Sequence, residues 1–186
     1  SLNHFGDPNV LVDNAGTLVP AFEKALGSAT VLGIPGPLAF AVTLEGEVHA
    51  DRVGGAFGIG TVYDYLDGTE SLRLETKECW SSSFHFRLLP HYRALVQGRE
   101  IGLVSCHREL PGALRERMGA EQVRFHAVPE QAHLSHARRD TGHYPDRYRS
   151  LLAELENVRP GTLYLVAAGM LSKIYCDVVR GAGGVA

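Results

Sequence analysis

The second half of the chain alternates, and that alternation limits the folds open to it. IGLVSC (101–106), QVRFHAVP (122–129) and TLYLVAAG (162–169) are short apolar runs rich in branched residues, as in strands buried on both faces. Each leads into a longer stretch with helical spacing: ELPGALRERMG, YPDRYRSLLAELENV and MLSKIYCDVVRG. Gly119 supplies a helix stop, and Pro145 stands near a first helical turn. Strands separated by helices pair in parallel through crossovers, so the pattern predicts an α/β fold: a Rossmann-like, doubly wound, mostly parallel sheet flanked by helices.

The first half is less regular. TLVPAFEKALG (17–27) predicts a short helix stopped by Gly27, and TVLGI (30–34) a buried strand ended by the Pro35-Gly36-Pro37 turn. Residues 39–75 carry glycines at 46, 54, 55, 58, 60 and 68 and are left as an irregular segment. From Trp80, SSSFHFRLLPHYRALVQG predicts a helix running to about Gln97, kinked or broken at Pro90. With 186 residues and no internal repeat, one domain over residues 1–186 is expected.

Composition excludes several function classes. The formal charge of −3 with nine neutral histidines lacks the basic face of a nucleic-acid binder. No run approaches the ~20 apolar residues of a membrane span. Cys79, Cys106 and Cys176 form no Cys-x-x-Cys unit and cannot all pair with one another, which fits free thiols in the reducing cytoplasm.

In open α/β sheets ligands bind beyond the carboxyl ends of the strands. Here those ends are Pro35-Gly36-Pro37, Ser105-Cys106-His107, Pro129-Glu130-Gln131 and Gly169-Met170-Leu171-Ser172-Lys173. Gly169 permits positive φ and close backbone approach. The amides after it are donors at a helix start, suited to a diphosphate, and Lys173 adds a positive charge one turn on. The competing reading is a glycine easing a tight turn and a solvated lysine, since neither Gly-x-Gly-x-x-Gly nor a P-loop is present. His107 suits a phosphate contact or a general base, or else an exposed helix-start position. Glu130 suits a base or a partner for a sugar hydroxyl, or else opens a surface loop. His133 and His136 in HLSH share a helical face but have no evident third metal ligand. His143 reads as a turn residue before a helix, or else one facing the cleft, and His85 as a buried or boundary histidine rather than a catalyst. No nucleophile elbow, Ser-His-Asp order or paired-carboxylate motif occurs.

The runs GLVSCHREL, VRFHAVPEQA, HYPDRYRSLLAEL and LYLVAAGMLSKIYCDVVRGAGGVA, in that order, resemble the carboxyl half of GT-D-type glycosyltransferase domains. The resemblance covers about residues 80–186, with weaker agreement around ALGSATVLGIP. It implies a Rossmann-like protein using a nucleotide-sugar donor, often UDP-linked, and a divalent cation such as manganese or magnesium. On that footing Gly169 to Lys173 match the glycine-turn-helix near the donor. Ser105 and His107 match a strand end on the same cleft, and Pro129-Glu130-Gln131 match another. The family also implies an acidic Gly-Asp-Gly-Glu-type motif. Phe5-Gly6-Asp7-Pro8 lacks its glutamate, so the motif is expected upstream of Ser1, and a further strand with an Asp-Ile-Gly segment is expected after Ala186.

The expectation is therefore a glycosyltransferase acting from a nucleoside-diphosphate sugar on an unknown acceptor. Glu130 or His107 would be the base, and Ser105, Gly169, Met170, Leu171, Ser172 and Lys173 would hold the donor. The alternative from another class is a non-catalytic nucleotide or sugar-phosphate binding module. A methyltransferase of related fold is disfavoured, because no glycine-rich first loop followed by an acidic strand end is visible.

Overall fold

In the computed structural model the described residues are 9–34, 68, 78–81, 85–130 and 142–186. They include helices α1 (Val10–Asp13), α2 (Ala15–Ser28), α3 (His85–Val96), α4 (Leu110–Met118), α5 (Tyr148–Leu155) and α6 (Ser172–Gly181). The strands are β1 (Val31–Ile34), β2 (Glu78–Ser81), β3 (Glu100–Ser105), β4 (Gln122–Ala127) and β5 (Leu163–Val166). The chain divides into two units, residues 1–25 with 91–186 and residues 26–90.

In the second of these units, β1 and β2 pair in parallel, with Val31 opposite Glu78 and Ile34 opposite Ser81. The sequence expectation missed β2, because it read Trp80 and Ser81 as the lead-in to a helix. Four residues of mixed type carry little local strand signal, and the pairing partner lies far away in sequence. α3 runs as one helix from His85 to Val96 through Pro90, so the chain does not break into two helices there. The expected irregular segment and the HLSH histidines fall outside the described residues, apart from Gly68.

The larger unit is α/β: an open three-stranded parallel sheet in the order β4-β3-β5, with helices on both faces. The period-2 alternation of β3 sorts its side chains. Ile101 and Leu103 join Val96, Leu114 and Ala120 on the α4 side, while Val104 faces α5 and α6. There it packs with Leu151, Leu155, Ile174, Tyr175 and Val179. α4 ends as its sequence dictates. Gly119 takes φ +74°, and the Gly119 and Ala120 amides donate to the Arg115 and Leu114 carbonyls.

At Gly102 of β3 a side chain has no room. Tyr164, its neighbour on β5, lays its ring across β3 at this point, and a β-carbon on Gly102 would overlap that ring. The Tyr164 hydroxyl thereby reaches His126 on β4, 3.5 Å away.

After α6 the chain returns to the outer edge of β5. Val185 bridges Leu163 in parallel, the Tyr164 amide donates to the Val185 carbonyl at 2.7 Å, and the Val185 amide donates to Thr162 at 2.9 Å. Lys24 on α2 ties to Asp177 on α6 at 3.2 Å. No helix among the described residues is long and apolar enough to cross a membrane.

Candidate functional site

The order β4-β3-β5 has a direct consequence. From β3 the chain crosses to β4 on one side, and from β4 it crosses back over β3 to β5 on the other. The intervening helices lie on opposite faces, α4 on one and α5 on the other. The loops leaving β3 and β5 therefore lead to opposite faces, the topology that in open α/β sheets marks the place for a ligand crevice between the two carboxyl ends. The two ends stand level: Val104 pairs with Val166, and the Ala167 amide donates to the Val104 carbonyl at 2.8 Å.

Five of the expected residues lie on the β5 side. Gly169 takes φ +59° and begins a short 3₁₀ turn, Gly169–Leu171, that runs straight into α6. Ser172 accepts the Ala168 amide through Oγ at 2.9 Å, which pins the turn to the helix start. Leu171 is buried as an anchor, Met170 and Ser172 are half-buried, and Lys173 is exposed. The left-handed φ is the physical reason for glycine here.

On the β3 side Ser105 is fully buried, and its Oγ accepts the His107 amide at 3.1 Å. Its carbonyl accepts the Val128 amide, which ties the end of β3 to the segment after β4. His107 is exposed, with Nδ1 3.2 Å from Glu109 Oε1. Glu130 is exposed and follows β4, on the far side of β3 from β5. Burial pushes the Cys106 thiol up, and the Glu130 and Glu109 carboxylates push it further. Ser105 and His107 thus stand at the carboxyl end of the strand that pairs with β5, whereas Glu130 belongs to the loop after β4. Gln131 lies outside the described residues.

Behind this edge, on the α5 and α6 face, sit polar groups that the sequence did not single out. His126 Nδ1 lies 2.7 Å from Glu154 Oε2, and because a carboxylate only accepts, the ring donates. Arg147 donates to Glu154 at 2.5 and 3.4 Å and to the Ala127 carbonyl, the last of β4, at 2.6 Å. Arg147 foremost, and His126 after it, hold the Glu154 carboxyl below its usual range against the effect of burial.

His143 is buried at the start of the α5 segment, with Nε2 2.8 Å from the Tyr175 hydroxyl of α6. Burial, with Arg147 adding to it, pushes its pKa down to about 4. Burial, with Tyr148 adding, raises that of Tyr175. No local signal marks these pairs, whose members stand 28 and 32 residues apart.

The described residues bring together no three His, Cys, Asp or Glu side chains that could hold a metal ion. They do not supply a donor set for a divalent cation. A groove of about 280 Å³ lies at the opposite, amino-terminal edge of the sheet, lined by Arg99, Glu100, Arg159 and residues 160–163. Its Glu100 is already engaged, 3.2 Å from Arg124 and 3.7 Å from Arg159. Being away from the strand ends that share the crevice, it is not the candidate site.

No protein-family model, no curated protein and no solved structure matches this chain.

Proposed function

We propose that the chain is a glycosyltransferase domain that takes a nucleoside-diphosphate sugar, UDP-linked by preference, in the crevice between β3 and β5. The reading treats the sheet as the core of a Rossmann-like, doubly wound fold in the cytoplasm. One observation carries it: the order β4-β3-β5 makes the β3/β5 boundary a topological switch point, with a glycine turn at positive φ opening a helix beside it.

In that crevice the amides of Met170 and Leu171 and the ammonium of Lys173 face the diphosphate, where negative charge grows as it leaves, while the Ser172 amide closes the turn onto the Gly169 carbonyl. The acceptor hydroxyl forms the new bond to the anomeric carbon, and the bond to the diphosphate oxygen breaks with its electron pair. The hydroxyl proton passes to His107 or Glu130. A divalent cation is implied by the resemblance alone, and the described residues do not supply ligands for one.

A second reading, a binding module without chemistry, has its own support. Ser105 and Ser172 both spend their hydroxyl oxygens on backbone amides, which shapes turns and activates nothing.

Calorimetric titration of the full chain with UDP and UDP-sugars, with and without manganese, tests both. Binding is expected, weakened about tenfold in Lys173→Ala through loss of one charge-assisted contact. UDP release from a UDP-sugar in the presence of acceptor favours the enzyme; binding without release favours the module. Absence of any UDP binding overturns both.

A further inference from the structure

The buried pair His143 and Tyr175 takes no part in the proposed chemistry, yet it joins the starts of two helices behind the crevice. His143 precedes α5 and Tyr175 stands one turn into α6, just past the Ser172 that pins the Gly169 turn. Tyr175 is fully buried, so its hydroxyl proton needs an acceptor, and the His143 Nε2 lone pair at 2.8 Å is that acceptor.

The imidazole stacks on the Tyr175 ring, Tyr148 packs on Tyr175 and Tyr144 on Tyr148, and the Tyr144 hydroxyl extends the row to Asn14, between α1 and α2, at 3.1 Å. Among the described residues the charge facing His143 is the Arg147 guanidinium. Of the described carboxylates on α5 and α6, Glu154 pairs with Arg147 and His126, and Asp177 with Lys24 and Arg180.

We propose that His143 and Tyr175 form an acid-sensitive clasp that holds the Gly169–Ser172 turn in place while the imidazole is neutral and lets it loosen when the imidazole is protonated. Protonation removes the acceptor and puts a second positive charge near Arg147 in a site with little water. Opening the clasp hydrates the ring and relieves both costs. The proposal does not depend on what the crevice binds.

Hydrogen exchange of the Ala168 to Ser172 amides, followed by NMR and corrected for the intrinsic pH dependence, tests the clasp without any ligand. With the ring near pH 4 when clasped and 6.5 when released, opening rises about twenty-fold between pH 7 and pH 5. His143→Gln keeps an acceptor but cannot titrate, so its exchange stays flat over that range. Tyr175→Phe removes the donor, so the turn opens more at neutral pH and the rise shrinks, which serves as the second arm if His143→Gln does not fold. Flat exchange in the unaltered chain, an unchanged rise in His143→Gln, or exchange in Tyr175→Phe identical to the unaltered chain overturns the proposal. UDP binding in the same samples reports separately on the crevice.

Discussion

The two faces of the β4-β3-β5 sheet are built on different principles. Toward α4 an apolar cluster dominates: Val96, Ile101, Leu103, Leu114 and Ala120, with Val123, Phe125, Leu163 and Leu165 around them. Toward α5 and α6 the apolar core is threaded with His126, His143, Tyr148, Tyr164 and Tyr175, and with Arg147 and Glu154 at its rim. The first face holds the sheet by area removed from water, which is indifferent to pH. The second fixes where strand and helix ends stand, through directional bonds that titrate. The Gly169 turn at the carboxyl edge leads into α6, an element of that second face.

Substitutions separate the two. Ile101→Ala, at a fully buried site on the apolar face, is expected to cost about 4 kcal/mol by urea unfolding, equally at pH 5 and pH 8. Gly102→Ala acts on the other face by driving Tyr164 off β3 and away from His126. Denaturant titration should show a loss of about 3 kcal/mol, with altered tyrosine fluorescence.

Acid is the third probe. His143 is held at about 4, below the ordinary 6.5, so the folded chain binds fewer protons than the unfolded one in between. Its contribution is complete above pH 6.5 and is lost as pH falls toward 4, roughly 3 kcal/mol in all. Thermal melts should show His143→Gln losing correspondingly less stability than the unaltered chain between pH 7 and pH 4.5. The smallest effect belongs to Glu154→Gln, about 1 kcal/mol, because the carboxylate is partly exposed. Its folded carboxyl is held low, so the difference between Glu and Gln should be present at neutral pH and disappear as pH falls through the carboxylate range.

Much of the apolar scaffold is legible in the sequence, because periodicity and stop signals are local. β3, α4, β4, α5, β5 and α6 stand within a few residues of their predicted positions, and Gly119 stops α4 as read. The polar face is not legible. His126 reads as one residue of a strand and Glu154 as one of a helix, and only the register of β3 against β4 and β5 brings Tyr164 to His126 across Gly102. His143 reads as a turn residue, yet it is buried because α6 brings Tyr175 onto it. β2 is missed for the related reason that a short strand is defined by its partner. For the crevice, the sequence supplies the strand-end residues, but the order that sets Ser105 beside the Gly169 turn and Glu130 beyond it is a property of the fold.

The central claim is that the β3/β5 boundary is where a nucleoside diphosphate binds. Amide chemical-shift mapping of the full chain during UDP titration tests it most directly. The account predicts saturable shifts concentrated at residues 105–107 and 168–173, with the groove at Arg99 and Arg159 silent. Shifts confined to that groove, or no saturable shifts at all, would contradict it.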